Sequence, residues 1–368
     1  MTLTQAEAFA RIRLLRSPRI GPVSYAQLLA RYGDAETALE ALPTIGKRGG
    51  GSYSAVPRDR VEREVEAVRR AGAKYLFHDR PDYPALLREI EGAPPILTFR
   101  GDLTLASAPC VAVVGARNAS AAAVKLAREF GKGLAEAGFT VVSGLARGID
   151  GAAHEGAFPR TIGVIASGID IAYPPQHEAL QERIASEGLL LAEHPPGTEP
   201  RGSHFPSRNR IIAGLARGVV VVEAAPRSGS LITARLAGEQ GREVFAVPGS
   251  PLDPRSRGTN GLIRDGAILV QSAEDIIEAL AETPPQALGD RSGPEFDAPG
   301  MAAVGESELA TARPTVLKLL GPSPVPIDEL MRQSRLTPAL LLTILLELEL
   351  AGRLERHAGS QVSLIESV

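Results

Sequence analysis

The sequence contains no tryptophan, a single cysteine and only 4% aromatic residues among 368. A packed core must therefore depend on Val, Leu, Ile and Ala, and the 44% hydrophobic content is enough to supply it. One cysteine excludes a disulfide framework and a multi-thiolate metal site, which fits a reducing cytosol. No apolar run approaches the roughly 18 residues of a membrane span, and the charged N-terminal segment lacks the apolar stretch of a signal peptide. We therefore expect a cytoplasmic protein with no membrane span.

Several nucleotide and metal motifs are also missing. The sequence has no P-loop, no Gly-x-Gly-x-x-Gly stretch and no cluster of His, Cys and carboxylate residues at metal-ligand spacing. The sequence therefore lacks the residues that ATP hydrolysis, dinucleotide redox chemistry and zinc chemistry require. We expect no cofactor. The formal net charge of -3 gives no overall attraction to nucleic acid. Any surface that binds nucleic acid must depend on local positive charge.

The central part of the chain, from about residue 111 to residue 280, alternates strand and helix patterns. Continuous apolar, β-branched runs are typical of parallel strands that are covered on both faces. The predicted strands are 111–114, 139–143, 161–166, 189–193, 218–223 and 243–247. The predicted helices are 120–137, 150–157, 177–187, 208–216, 230–241 and 273–280. This alternation predicts an α/β fold with an extended Rossmann-like, doubly wound sheet.

Changes in composition divide the chain into four parts. We predict a helical module over 1–80, a Rossmann-like domain over 81–281, a flexible linker over 282–312 and a winged-helix domain over 313–368. The Ile20-Gly21-Pro22 turn of the first module resembles those of SAM-like and helix-hairpin-helix modules, and a small helical packing domain is the alternative. The linker is rich in Pro, Gly, Ala and acids and has no periodicity.

Three amphipathic helices, 314–320, 327–333 and 337–350, and a hairpin over 351–364 predict the winged helix. The third helix offers leucines and two acids where recognition of a DNA groove needs Arg, Lys, Asn or Gln. We therefore favour a contact with protein, or self-association, over sequence-specific binding of DNA by this domain.

Two predicted strands each end in a glycine turn that opens a helix. Gly115-Ala116-Arg117-Asn118 follows the first strand, and Ser143-Gly144-Leu145-Ala146-Arg147-Gly148 follows the second. Such turns place free N–H groups and the positive end of a helix over the crevice at the carboxyl edge of a parallel sheet. The pattern predicts an anion site of the kind that binds a nucleotide or a phosphate backbone.

A further helix start is predicted at 208–216, with Ser207 as its N-cap. Its first turn carries Arg208, Asn209 and Arg210. Arginines near a helix N-terminus oppose the macrodipole unless an anion binds there or an acid pairs with them. A bound phosphate is one solution for at least one of these arginines, and an internal ion pair to Glu193 or Glu223 is the other.

The segment after the strand at 218–223 has small hydroxyl residues and a glycine ahead of a helix. These residues are Ser228, Gly229, Ser230 and Thr233. They supply amides and short donors that can approach a phosphate oxygen. The segment is the third glycine turn on one edge of the sheet, and Val247-Pro248-Gly249-Ser250 is the fourth.

The residues Ser143, Asp150 and His154 suggest a hydrolytic triad. Asp150 and His154 share a helix face, but Ser143 lies in a turn without the strained elbow that a nucleophile requires. We predict instead that Asp150 caps or braces the glycine turn and that His154 packs beside it.

At these residues the chain resembles the DNA-processing protein A family, also called DprA or Smf. The shared motifs are Tyr83-Pro84, the Val-Gly-Ala-Arg turn at 114–117, 143–150 with His154, Tyr173-Pro174, 205–215, 228–234 and 247–249. The match covers about residues 82 to 280, and the flanking modules are compatible with it. The resemblance implies a non-catalytic recombination mediator that binds single-stranded DNA, forms a homodimer and helps load the RecA recombinase during uptake of transforming DNA. Single-strand-binding protein is a further implied partner.

The resemblance also implies roles for individual residues. Arg117 contacts a backbone phosphate, and Phe205 stacks on a base, with a core aromatic as the alternative for Phe205. Arg201 takes the place of a lysine that family members often carry before this Phe, whereas a second family lysine after Tyr-Pro has no charged counterpart at 174–177. The complete set of predicted DNA contacts is Gly115, Arg117, Ser143, Gly144, Arg147, Arg201, Phe205, Arg208, Asn209, Arg210, Ser228, Gly229, Ser230 and Thr233. The predicted dimer residues are Leu262, Ile263, Ile268 and Leu269.

Two other functions compete with this interpretation. A nucleotide phosphoribohydrolase of the lysine-decarboxylase-like class shares a Rossmann sheet and a Pro-Gly turn, but it needs a Pro-Gly-Gly-x-Gly-Thr stretch with a following glutamate. Residues 247–253 do not supply that stretch. A sequence-specific regulator acting through the winged helix is disfavoured by the acidic, leucine-rich third helix.

Overall fold

The computed structural model describes residues 3–282, 305–357 and 359–365. The chain divides into two compact units, one formed by residues 1–63 together with 289–368, and the other by residues 64–288. Among the described residues, no helix is both long enough and apolar enough to cross a membrane.

The chain begins with helices, as predicted. They are α1 (Gln5–Arg16), α2 (Pro22–Tyr32), α3 (Ala35–Arg48) and α4 (Arg58–Arg70). The side chains of Thr4 and Asp34 cap α1 and α3 by accepting backbone N–H bonds. Leu14, Leu28 and Leu42 are fully buried and form the centre of the packing between the first three helices.

The larger unit is built on a nine-stranded sheet. Its strands are β1 (Lys74–Phe77), β2 (Ile96–Gly101), β3 (Cys110–Val114), β4 (Thr140–Ser143), β5 (Thr161–Gly168), β6 (Leu189–His194), β7 (Gly218–Val221), β8 (Glu243–Ala246) and β9 (Ile268–Leu269). Their order is β1-β2-β6-β5-β4-β3-β7-β8-β9. The strands β6, β5, β4, β3, β7, β8 and β9 pair in parallel with their neighbours in this order. β1 and β2 are added antiparallel at one edge.

This sheet confirms the predicted doubly wound fold, and each of the six predicted strands is present. Because β1 pairs with β2, the sheet begins at Lys74, and the predicted module boundary at residue 80 is too late. The chain leaves β3 through β4, β5 and β6 on one side and returns through β7 and β8 on the other. The carboxyl ends of β3 and β7 therefore form the topological switch point, where ligands of such sheets bind.

Helices cover both faces of the sheet. They are α5 (Ala85–Arg88), α6 (Ala121–Glu136), α7 (Ile149–Ala157), α8 (Glu178–Glu187), α9 (His204–Leu215), α10 (Gly229–Glu239), α11 (Arg257–Arg264) and α12 (Ala273–Glu282). Along β3, Val111 and Val113 pack against α6, α7 and α12, while Ala112 and Val114 pack against α9 and α10. Alternate residues of a strand point to opposite faces, so the apolar run of β3 is buried on both sides.

The C-terminal module is a winged helix, as predicted. It contains α13 (Glu306–Leu319), α14 (Ile327–Ser334), α15 (Pro338–Leu350) and a small sheet of β10 (Val325–Pro326), β11 (Leu354–His357) and β12 (Gln361–Leu364). The prediction that 282–312 is a linker is wrong for its last residues, because α13 begins at Glu306 and continues through Pro314. Residues 283–304 of that predicted linker lie outside the described residues.

The two ends of the chain share one core. Leu346 and Leu350 of α15 are buried in the cluster formed by α1, α2 and α3. The helical module and the winged helix are therefore packed together, although more than 200 residues of sequence separate them.

Candidate nucleic-acid interface

A crevice opens at the topological switch point of the sheet. A cavity of about 420 Å³ lies between the turn after β3 and the turn after β7, and a second cavity of about 200 Å³ extends from it towards Tyr173. Arg117, Phe205 and Arg208 line both cavities. The predicted turns after β3, β4 and β7 therefore meet at one site, whereas residues 247–250 line neither cavity.

The turn after β3 is fixed by close packing at its glycine. A Cβ atom on Gly115 would lie 2.6 Å from the side chain of Ile149, so only glycine allows α7 to approach this turn. The Ser120 hydroxyl caps α6 by accepting the N–H of Ala123, and the Ser120 N–H donates to the buried carboxylate of Glu223. The turn leaves the Arg117 side chain exposed at the mouth of the crevice.

The turn after β4 has an unusual backbone. Leu145 is fully buried and adopts a left-handed conformation with φ of 55°, and Gly148 has φ of 77°. Asp150 holds the turn, because its carboxylate accepts the N–H groups of Gly144 at 3.1 Å and Ala146 at 3.3 Å. The prediction that Asp150 braces this turn is confirmed. A left-handed backbone at a bulky residue such as Leu145 is strained and persists only where surrounding contacts fix it. Such strain is common at functional sites.

Ser143 and His154 do not form a catalytic pair with Asp150. Ser143 is fully buried, and its hydroxyl donates to the carbonyl of Val113 at 2.6 Å. His154 is also buried, its Nδ1 lies 2.7 Å from the hydroxyl of Thr161, and burial lowers its pKa to about 3. The assignment of Ser143 as a DNA contact is therefore wrong, because its side chain is bonded inside the sheet.

Helix α9 starts earlier than its sequence pattern indicates. It begins at His204, so Ser207 lies inside the helix and is not its N-cap. Ser203 occupies the N-cap position without a side-chain hydrogen bond. As a result Phe205 belongs to the first helical turn, and Arg208 is placed one turn further in than predicted.

Arg208 is a buried cation in the wall of the crevice. Its side chain passes so close to Gly144 that a Cβ there would lie 1.4 Å from a guanidinium nitrogen. Burial lowers the pKa of Arg208 to about 10, an effect that the nearby Asp150 carboxylate opposes. Burial likewise raises the pKa of Asp150, against the influence of Arg208. Within the described part of the chain, the Nε of Arg208 has no hydrogen-bond partner.

The two neighbours of Arg208 on α9 have structural partners. Arg210 forms a half-buried ion pair with Glu193, which is the internal alternative considered for this residue. Arg210 also lines neither cavity, which favours the internal ion pair over a DNA contact for this residue. Asn209 donates to the carbonyl of Gly229 at 3.4 Å, so it ties α9 to the start of α10.

The start of α10 forms the opposite wall. Ser228 is its N-cap and accepts the N–H of Ser230, while the two hydroxyl oxygens lie 2.7 Å apart. Gly229 is exposed with open space around it, and Thr233 lines the cavity one turn later. This arrangement confirms the predicted helix start and directs N–H groups towards the crevice.

An aromatic surface lies between the arginines. The Phe205 ring lies 4.8 Å from the guanidinium carbon of Arg117 and 6.0 Å from that of Arg208. Tyr173, which is 40% exposed, contacts the same ring with centroids 5.7 Å apart. Phe205 is half-buried and faces both cavities, which favours the stacking role over that of a core aromatic.

Several residues that line the crevice are not among the predicted DNA contacts. Tyr173, Gln176, Asn118 and Arg255 all line the cavities. Tyr173-Pro174 was part of the family resemblance, but nothing in the sequence alone brings it to Phe205. Arg147 and Arg201 are exposed, Arg147 in the cavity wall and Arg201 in the turn before α9. The described residues contain no cluster of three His, Cys, Asp or Glu side chains that could hold a metal ion.

The predicted dimer residues lie at the far edge of the sheet. Ile268 and Leu269 form β9, the last strand, and are 38% and 44% exposed. Leu262 and Ile263 are half-buried on α11, and Leu262 packs against the sheet core.

Comparison with known proteins identifies the family of each module. The family described as DNA recombination-mediator protein A matches residues 74–281. A DprA-like N-terminal HHH domain matches residues 5–67, and a DprA winged helix domain matches residues 301–360.

Individual relatives agree with these matches. Protein Smf of Synechocystis is 34% identical over 378 residues, covering 92% of this chain and 94% of that protein. The X-ray structure of DNA processing protein A from Streptococcus pneumoniae has a TM-score of 0.63 and 35% identity, covering 76% of this chain and 98% of that chain. DNA processing protein A from Helicobacter pylori, described for its unique single-stranded DNA binding mode, has a TM-score of 0.52 and 30% identity, covering 57% and 96%. The chain therefore belongs to the DNA recombination-mediator protein A family.

Proposed function

We propose that the crevice at the switch point binds single-stranded DNA and that the protein acts as a recombination mediator. The observation that carries this proposal is the position of one aromatic ring, Phe205, between an exposed and a buried arginine beside helix N-termini. Cations and N–H groups suit phosphates, and an exposed ring face suits a base. The single-stranded DNA binding mode described for the Helicobacter pylori relative supports the same class of ligand.

The geometry favours a single strand over a duplex. The Phe205 ring lies inside a crevice, so a base must leave its stack to reach it. Base faces are free in a single strand and covered in a duplex. Stacking and phosphate contacts carry little base information, so we expect weak sequence preference and strong salt dependence.

The DNA contacts are assigned to residues that line the crevice, together with the exposed Arg201 in the turn before α9. The proposed set retains Gly115, Arg117, Gly144, Arg147, Arg201, Phe205, Arg208, Asn209, Ser228, Gly229, Ser230 and Thr233, and it adds Tyr173. Arg117 and Arg147 would bind phosphates. Arg208 would supply a buried positive charge beside the Phe205 ring.

We infer that binding at this site is not coupled to catalysis. The Ser143 hydroxyl and the His154 imidazole are both buried away from the crevice. A phosphoribohydrolase needs a glutamate near the nucleotide, but Glu223 is 6% exposed and binds the N–H of Ser120. Both observations favour a binding protein over the hydrolase alternative.

The test of this function compares wild type with Arg117→Ala by fluorescence anisotropy of labelled oligo-dT over a salt series, with a duplex competitor. We expect the variant to bind about 10-fold or more weakly, because it loses a charge-assisted phosphate contact. The slope of log affinity against log salt should fall by about 0.7, the value for one phosphate of a single strand.

Arg235→Ala is the matched control, because it removes the same charge from an exposed position on α10. It should leave the affinity nearly unchanged. Equal binding by wild type and Arg117→Ala would place the DNA site elsewhere, and equal competition by duplex would contradict the preference for single strands.

We further propose that the protein loads RecA onto the bound strand during recombination and uptake of DNA, and that single-strand-binding protein is a further partner. The description of the family as a recombination mediator supports this proposal.

We propose that the protein forms a homodimer through the edge of the sheet at β9. An open edge with exposed Ile268 and Leu269 is a surface on which a second chain can pack. Leu269→Glu should convert the dimer to monomer at micromolar concentration, as measured by light scattering after size exclusion. Leu252→Glu is the control, because Leu252 is 88% exposed and lies outside β9. A dimer that survives Leu269→Glu would contradict this interface.

A further inference from the structure

We propose that α15, the third helix of the winged helix, is the docking surface for this chain's own N-terminal helices and does not read duplex DNA. This inference does not depend on the function of the crevice. Of the thirteen residues of α15, Pro338 alone is exposed. A recognition helix must present polar side chains to the edges of bases, and α15 presents none.

The apolar residues of α15 serve two cores. Leu341, Ile344 and Leu345 pack into the winged helix itself. Leu346 and Leu350 pack into the cluster of α1, α2 and α3 instead. The prediction that this helix is amphipathic is therefore wrong, because a helix that is apolar on all sides is buried on all sides. The leucine-rich sequence of α15 is therefore explained by packing against two partners within one chain.

The contact includes a close approach of two backbones. A Cβ on Gly49, just after α3, would lie 2.0 Å from the carbonyl oxygen of Glu347. A Cβ on Gly51 would lie 2.7 Å from the carbonyl oxygen of Ala351. Two glycines without room for a side chain indicate a fitted interface.

The two acids of α15 are also occupied. Glu347 is 1% exposed and pairs with Arg313 at 2.5 Å. Glu349 accepts the Ser24 hydroxyl of α2 at 2.8 Å and the Arg356 Nε of β11 at 2.9 Å. The Arg353 guanidinium donates to the Gly49 carbonyl at 3.3 Å. Arg353 therefore bonds across the contact, and Arg356 binds the Glu349 carboxylate that Ser24 of α2 also reaches.

The contact explains why the winged helix cannot dock on a groove as it stands. To expose α15, the N-terminal helices would have to leave, and Leu346 and Leu350 would enter water. The partner of this winged helix is therefore the helical module, and the two ends of the chain fold as one body.

Hydrogen exchange on the full-length chain tests this proposal with Gly49→Ala. The added methyl group should force the two backbones apart, so amides of both α3 and α15 should exchange about 10-fold faster or more. The melting temperature of this unit should fall by about 4 °C or more. Gly321→Ala is the control, because an added Cβ there meets no atom within 4 Å, and it should leave both helices at wild-type protection.

A second variant, Leu346→Ala, keeps the test decisive if Gly49→Ala fails to fold. It changes only the winged helix, yet it should speed exchange in α1, α2 and α3. Wild-type protection of these helices in Leu346→Ala, or faster exchange of α3 with unchanged α15 in Gly49→Ala, would overturn the proposal. A 20-base-pair duplex added to wild type should leave exchange of α15 unchanged, and a duplex that alters it would also overturn the proposal.

Discussion

Replacement of Gly144 by alanine is expected to reduce the affinity for single-stranded DNA by about 10- to 100-fold, the range for a lost hydrogen bond to a charged group. The reason is steric. The new methyl group would lie 1.4 Å from a nitrogen of Arg208 and 2.4 Å from its guanidinium carbon, so Arg208 must leave its position beneath Phe205. Fluorescence anisotropy with labelled oligo-dT measures the loss.

Gly238→Ala is the matched control for this substitution. Gly238 lies near the end of α10, and a Cβ there meets no atom within 4 Å. The control should bind as wild type and should be slightly more stable, because alanine is the better helix former. Wild-type affinity in Gly144→Ala would show that Arg208 takes no part in binding DNA.

Replacement of Arg208 by methionine is expected to lower the free energy of unfolding at pH 7.5 by about 1–3 kcal/mol, because it removes the nearby cation that stabilises the buried Asp150 carboxylate. Arg208 and Asp150 are 7% and 5% exposed, and each opposes the effect of burial on the pKa of the other. Chemical denaturation followed by circular dichroism measures the change, with Arg235→Met as the exposed control.

The loss of stability in Arg208→Met should be smaller at acid pH than at neutral pH. Without Arg208, the pKa of Asp150 rises further above its unfolded value, so the folded variant holds a proton that the unfolded chain releases. Stability then falls as pH rises through this interval. The deficit relative to wild type should be smaller at pH 5 than at pH 7.5, and Asp150→Asn should restore much of it. A deficit that grows towards acid pH would contradict this electrostatic interaction.

The central strands could be predicted because each is a continuous apolar run, the pattern that burial on both faces imposes. β1 and β2 were missed, since short antiparallel strands at an edge mix polar and apolar residues, as in Lys74–Phe77. The start of α9 was placed too late because Ser207 is a good N-cap by composition, whereas the real helix begins without a side-chain cap at Ser203.

The candidate site was predicted in part. The glycine turns and Arg117 follow from local sequence, because a turn after a buried strand fixes where its residues lie. The burial of Arg208 over Gly144 depends on residues 64 positions apart and has no local signal. The partner of Arg210 also has no local signal, because the sequence offers both Glu193 and Glu223 and does not decide between them. The left-handed conformation of the bulky Leu145 opposes its residue preference and is imposed by the fold.

The single cysteine gives the molecule a practical property. Cys110 begins β3 at the centre of the sheet, is 1% exposed, and has its pKa raised by burial to about 12. A thiol in that state does not react with maleimide dyes at neutral pH, because the thiolate is the reactive form. A second cysteine at an exposed position such as Gly202, where a Cβ meets no atom within 4 Å, would therefore take a fluorophore selectively. The loop beside the crevice can thus be labelled for single-molecule observation without removing the native thiol.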